Sequence, residues 1–191
     1  LLEVAREEPG RIAVARARLV GEPLGLGTRE ANRRDERMLE VAPNGKDMHK
    51  RVREIPSIVD LDERFRIMDR FGADYAQVIC LPSPPIEAFG PPPLSTQLAA
   101  LANDGMAELV RKHPRRFPAF VASLPMNDPR GLLKEARRAV KELGAVGVQA
   151  FTNVLGKPLT APETMPLFDL MAQLDLPIWL HPARTSKFAD Y

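Results

Sequence analysis

His181 is the residue whose neighbours best equip it for chemistry. It ends the apolar run Pro177-Ile178-Trp179-Leu180, and Pro182 follows at once. A run this apolar reads as a strand buried on both faces, with the proline marking where pairing stops. The pattern predicts His181 at the carboxyl end of a parallel strand, where α/β folds hold ligands and metals. On spacing alone two uses stay open: a ligand at the mouth of the sheet, or a core histidine satisfied by a backbone partner. The other two histidines are less well placed. His49 lies in the basic stretch Lys46 to Arg53 and reads as an exposed loop residue. His113 precedes Pro114 at a helix end, where a cation suits the helix dipole. The single cysteine, Cys80, sits in the apolar run Gln77 to Leu81 and reads as a small core residue. One cysteine allows no disulfide within the chain, and a cytoplasmic setting is the simplest inference.

A parallel strand must be delivered by a helix, and the sequence supplies helices in alternation with strands from Asp60 onward. Asp60 caps a helix whose stripe is Leu61, Phe65, Met68 and Phe71, stopped by Gly72. Tyr75 to Leu81 reads as a strand. A second helix, capped by Ser95, carries Leu98, Leu101, Ala102, Leu109 and Val110 on its expected buried side, and Phe117 to Leu124 is the next strand. Asp128-Pro129 opens a third helix with Leu132, Leu133, Ala136, Val140 and Leu143 inward, and Gly144 stops it. Val146 to Phe151 follows as a strand. Thr160-Ala161-Pro162-Glu163 reads as a capping box before the stripe Leu167, Leu170, Met171 and Leu174, and the last strand then brings in His181. Strand spacings of roughly 30 to 40 residues are those of βαβ units. The fold class is α/β, either doubly wound or part of a (β/α)₈ barrel, and four units make about half of such a barrel.

Residues leaving the strand ends are the remaining polar candidates: Ser83, Asn127, Thr152 and Asn153, with Gln149 inside a strand. The loop from Pro82 to Pro93, with prolines at half its positions, is stiff and reads as the wall of a pocket. Residues 1–59 form an irregular N-terminal segment, distinct from the βα units of 60–191. Within it, Leu1 to Glu8 reads as a short helix, Arg29 to Leu39 as a polar surface helix, and Pro43-Asn44-Gly45-Lys46 as a turn. Helical signals running to both ends point to a piece of a longer chain.

Composition narrows the function classes. The chain has 191 residues, 45% hydrophobic and 27% charged, with a formal charge of +2. That balance suits a soluble globular protein and argues against nucleic-acid or membrane partners, because the arginines are dispersed among acids. No G-x-G-x-x-G or G-x-x-x-x-G-K follows a strand, which argues against a dinucleotide or P-loop site.

A string of motifs carries more. Arg64-Phe65-Arg66-Ile67-Met68-Asp69-Arg70-Phe71-Gly72, Val78-Ile79-Cys80-Leu81-Pro82, Ala102-Asn103-Asp104, His113-Pro114-Arg115-Arg116-Phe117, Leu124-Pro125-Met126 and Lys141 to Gln149 together resemble the amidohydrolase-related metal-dependent decarboxylases. The resemblance spans about Asp60 to Pro182, with a weaker echo in Gly45 to Glu54. It implies a partial (β/α)₈ TIM barrel with a divalent metal, zinc foremost and manganese the alternative, and His181 as the metal ligand from the fifth strand. It implies a basic residue for the substrate carboxylate at Lys50 or Arg51, with Arg184 a further anion contact. It implies a carbon–carbon lyase acting on an unsaturated or aromatic carboxylic acid, with a hydrolase or hydratase on the same barrel and a non-catalytic half-barrel as the alternatives. The family's H-x-H strand, its later histidine and its last-strand aspartate have no match in these residues. The chain by itself is therefore expected to bind metal weakly and to be inactive, and the full-length protein to be a homo-oligomer. A half-barrel is also expected to leave two sheet edges open.

Overall fold

A computed structural model of the chain describes residues 2–7, 11–15 and 55–183. The first departure from expectation is at the start: Leu2–Glu7 is a strand (β1), paired antiparallel with Arg11–Ala15 (β2). Over Leu2–Glu7 the expected helix is replaced by this strand pairing. The expected helix at Arg29 to Leu39 and the turn at Pro43 lie outside the described residues.

From Pro56 the alternation is regular. A single turn, Pro56–Val59 (α1), leads into Leu61–Met68 (α2), which starts where Asp60 accepts hydrogen bonds from the N–H groups of Asp62 and Glu63 at 2.9 and 3.1 Å. Gly72, at φ 98°, ends the turn that follows. Phe71 falls in that final turn rather than on the inner stripe and is 61% exposed. Strand β3, Ala76–Val78, runs on to Ile79, which bridges Phe120 in parallel.

Helix α3, Leu94–Lys112, is capped by Pro93 and not by Ser95. Its buried face is Ser95, Ala99, Asn103 and Met106, while Leu101 is 38% exposed. The helix turns small and polar residues inward because Asn103 hydrogen-bonds the backbone of the next strand, and close approach displaces the leucines to the flanks. Strand β4 is Ala122–Ser123. The Asp128 carboxylate then caps Pro129–Lys141 (α4) through the Gly131 N–H and also accepts from the Thr96 hydroxyl at 2.7 Å. Those contacts, the Gly131 N–H first, hold the Asp128 carboxyl below its ordinary range.

Strand β5, Val148–Phe151, is fully buried. A small hairpin that the sequence did not announce follows, Asn153–Val154 (β6) with Lys157–Pro158 (β7). Its turn residues Leu155 and Gly156 both have positive φ. Helix α5, Met165–Leu174, starts after Thr164, not at Thr160, since Glu163 pairs with Lys157 instead of closing a capping box. Strand β8, Ile178–His181, completes the described chain.

Strands β4, β5 and β8 are parallel, with Ser123 beside Gln149 and Phe151 beside His181. The Ile79 bridge places β3 next to β4, so the parallel strands β3, β4, β5 and β8 lie in space in the order they occur in the chain. That succession is the singly wound order of a barrel and lacks the reversal of a doubly wound sheet. Phe117, Phe120, Ile79, Met106, Leu132 and Leu167 fill the layer between sheet and helices. The edges are unequal. β1 pairs antiparallel with β3 and covers one of them, whereas β8 pairs only with β5 among the described residues. β8 is therefore half-buried to exposed, with Leu180 58% exposed, where a strand buried on both faces was expected.

Gly147 shows how closely β8 is laid down. A Cβ there would meet the Trp179 ring and approach the Pro177 carbonyl oxygen to 2.7 Å. Gly147→Ala is expected to lower stability by about 1–3 kcal/mol, read as a lower urea midpoint with unchanged slope.

Candidate active site

The carboxyl ends of β3, β4, β5 and β8 lie along one rim. His181 stands there, exposed, its ring centroid 4.8 Å from that of Phe151. Its Nδ1 lies 2.8 Å from the Pro182 carbonyl oxygen. A carbonyl only accepts, so Nδ1 carries the proton, and in the neutral ring the lone pair falls on Nε2. That arrangement is how an imidazole is oriented to serve a metal or another acceptor-seeking partner. The backbone-satisfied reading and the ligand reading are thus combined in one ring: Nδ1 is spent on backbone, and Nε2 is available.

Two candidate residues prove to be fasteners. The Thr152 hydroxyl oxygen accepts from the Ala183 N–H at 2.9 Å, and the Asn153 amide donates to the Ala183 oxygen at 2.9 Å while accepting from Gly156 N–H. They tie down the segment after His181. Gln149 donates to the Leu81 oxygen at 2.8 Å, bracing β3's exit against β5, and Asn127 donates to the Gly90 oxygen at 3.0 Å. His113 caps the carboxyl end of α3 and packs on Phe65, which puts it at the rim opposite His181. Cys80 is buried, as expected for a core residue. His49, Lys50, Arg51 and Arg184 lie outside the described residues.

The proline-rich loop does wall a cleft. Leu81, Pro84, Glu87, Ser123, Gln149 and Phe151 line it, and the space open to a water's centre is about 10 Å³, room for one water-sized group. Phe151 separates this cleft from the His181 ring. Glu87, in the 3₁₀ turn Ile86–Phe89, is the residue that sequence reasoning passed over. It is 3% exposed, and neither carboxylate oxygen has a hydrogen-bond partner. Burial pushes its pKa up to about 7. The available signal was a lone acid among Pro84-Pro85-Ile86 and Ala88-Phe89, where nothing else is charged.

A family model described as Amidohydrolase matches residues 47–190. The chain belongs to the amidohydrolase family. Gamma-resorcylate decarboxylase of Polaromonas sp. (strain JS666 / ATCC BAA-500) is 38% identical over 127 residues, covering 63% of this chain and 38% of that relative. 2-Amino-3-carboxymuconate-6-semialdehyde decarboxylase of Dictyostelium discoideum is 34% identical over 123 residues, covering 64% of this chain and 34% of the relative. The crystal structure of a dihydroxybenzoic acid decarboxylase from Polaromonas sp. JS666, with bound manganese and the inhibitor 2-nitroresorcinol, matches with a TM-score of 0.65 at 26% identity. It covers 89% of this chain and 48% of that one. The chain spans less than half the length of the curated relatives it matches. The four parallel strands of this amidohydrolase are accordingly an arc of the family's (β/α)₈ barrel, and His181, Phe151 and the Glu87 cleft sit on the rim where such barrels place their chemistry.

No group of three or more His, Cys, Asp or Glu side chains able to hold a metal occurs among the described residues of this amidohydrolase. A catalytic zinc wants three protein ligands. The described residues therefore do not fit a complete metal site. No helix among them is long and apolar enough to cross a membrane.

Proposed function

We propose that the chain serves a carbon–carbon lyase reaction, the loss of CO₂ from an aromatic or unsaturated carboxylic acid. The observation that carries this reading is His181, its Nδ1 fixed on Pro182 and its Nε2 left for a ligand, in a chain whose relatives are decarboxylases. His181 is one ligand of a divalent metal. Manganese is favoured over the zinc anticipated from sequence, because the Polaromonas crystal structure holds manganese. Since one imidazole does not make a metal centre, the roles assigned here are those of the chain's own groups. Phe151 packs against the exposed His181 ring and helps to fix its orientation. Lys50 or Arg51, with Arg184, provides the positive charge that binds the substrate carboxylate.

The test is CO₂ release from 2,6-dihydroxybenzoate with Mn²⁺, measured on a protein that carries this chain at the length of its relatives. One CO₂ per substrate lost supports the lyase. Substrate loss by water addition without CO₂ replaces it with a hydratase or hydrolase. In the same protein His181→Ala is expected to weaken Mn²⁺ binding at least about tenfold, followed by the manganese spin-resonance signal. The side of β8 that has no strand partner among the described residues, with Leu180 exposed, favours association with a second copy, which sedimentation of the chain checks against a concentration-independent monomer.

A further inference from the structure

The cleft beneath the proline-rich loop holds two buried polar side chains with no partners. Glu87 and Ser123 both line it, and neither the Glu87 carboxylate oxygens nor the Ser123 Oγ has a hydrogen-bond partner. Ser123 is only 5% exposed, and its backbone is already engaged: Asn103 accepts from its N–H and donates to its carbonyl oxygen, both at 2.9 Å. That clamp fixes the residue and leaves the hydroxyl unspent. Gln149, beside Ser123 on the neighbouring strand, has its amide nitrogen committed to Leu81. Native interiors rarely leave such groups unsatisfied, and a bare carboxyl in an apolar wall is costlier still.

The chemistry of the two groups defines what complements them. No other titratable or charged side chain lines the cleft among the described residues. With no cation to hold the charged form, the acid presents one O–H donor and one carbonyl acceptor, and the serine adds a hydroxyl that does both. The fitting guest both donates and accepts, is uncharged, and is no larger than a water molecule. A ring cannot enter so small a space, but a hydroxyl carried on a ring can, with the ring remaining outside against Phe151 and near His181. A carboxylate is disfavoured, since it has no donor and repels Glu87 when that group ionises.

We propose that Glu87 and Ser123 form a subsite that recognises a phenolic hydroxyl on an aromatic substrate. For the substrate's class this rests on the decarboxylase reading and deepens it, naming the substituent that is read and the residues that read it. Pro84 and the rest of the stiff loop hold Glu87 in place, and Asn103 positions Ser123.

Two probes separate this subsite from the reading it rests on. Phenol carries the hydroxyl and no carboxylate; benzoate carries the carboxylate and no hydroxyl. Each is titrated into the 191-residue chain while backbone amide resonances are followed. Phenol is expected to shift Glu87 and Ser123 saturably at millimolar concentration. Glu87→Leu should abolish the response, and Ser123→Ala should weaken it by about threefold or more. Glu87→Gln, which keeps a donor and an acceptor at the same place, should retain binding and serves if the leucine variant does not fold. Absence of a saturable phenol shift at these residues, or an unchanged shift in Ser123→Ala and Glu87→Leu, or loss of binding in a folded Glu87→Gln, overturns the subsite. Benzoate is expected to leave Glu87 and Ser123 unshifted, and a benzoate shift at these residues equal to that of phenol also overturns the subsite. Failure of benzoate to bind the protein at the length of the relatives counts against the decarboxylase reading and leaves a positive phenol result standing.

Discussion

Replacing Asn103 with leucine is expected to lower the unfolding free energy by about 3–5 kcal/mol, the largest loss from any single side chain at the rim. Asn103 has zero exposure and makes three hydrogen bonds. Two go to the N–H and carbonyl of Ser123, and one goes to the Glu135 carboxylate at 2.7 Å. The side chain acts as a surrogate strand, bonding the backbone of the two-residue β4 from α3. Leucine fits the volume but leaves the Ser123 N–H and C=O without those bonds in a buried place, the expensive case for a polar group. Glu135 keeps two bonds from Arg138, at 2.8 and 2.9 Å, and Arg138 is held as well by Asp104 at 2.7 Å. The loss is therefore concentrated at β4. Asn103→Asp is no rescue, because it keeps one acceptor, loses both donors and sets a second carboxylate beside Glu135. Urea unfolding monitored by circular dichroism checks the value, and a change below about 1 kcal/mol shows that β4 does not depend on this clamp.

Asn103 also shows what sequence reading can and cannot reach. The helix around it was legible from its ends and periodicity, but the inward face was misjudged. Counting apolar residues selects Leu98, Leu101, Ala102, Leu109 and Val110, of which Leu109 and Val110 do pack on the core, but the fully buried residues are Ser95, Ala99, Asn103 and Met106. Hydrophobic spacing finds a helix without knowing that one buried amide will set its rotation. The third unit was read correctly down to its Asp128-Pro129 start and Gly144 stop, because capping is local chemistry carried by the residues themselves. The fourth helix was misplaced at its start because Glu163 had a nonlocal competitor in Lys157.

The site divides along the same line. His181 was legible since an apolar strand and a proline bracket it, and its place on the rim follows from those neighbours. Its strand's exposure was not legible, because the number of flanking strands is a property of the assembled sheet. Thr152 and Asn153 carry side chains suited to binding, and only the path of residues up to Ala183 reveals that they act as fasteners. Glu87 was missed because a charged residue in a proline-rich loop ordinarily faces water. Its burial arises from the 3₁₀ turn and the strand ends beneath it, and no local pattern encodes that.

That burial leads to a measurable pH dependence. The Glu87 carboxyl titrates at about 7 in the folded chain against an ordinary 4.5. Between those values the folded state holds the proton and the unfolded state has released it. Folding stability therefore falls as pH rises through the window, is least penalised below 4.5, and bears the whole penalty above 7. The difference corresponds to about 3 kcal/mol. Glu87→Gln removes the titration while keeping the shape, so it should match the wild type near pH 4.5 and exceed it by up to about 3 kcal/mol at pH 8. Taking the difference between the two proteins at each pH cancels the acid sensitivity of Asp128 and of the paired carboxylates, which both share. Urea unfolding at pH 4.5, 6 and 8 gives the comparison. Parallel stability profiles would mean that the carboxyl finds a charged or hydrogen-bonding partner when ionised. Phenol that stabilises the wild type less at pH 8 than at pH 6, while stabilising Glu87→Gln equally at both, would connect the buried proton directly to hydroxyl recognition, because the guest hydrogen-bonds the neutral acid and loses that partner as it ionises.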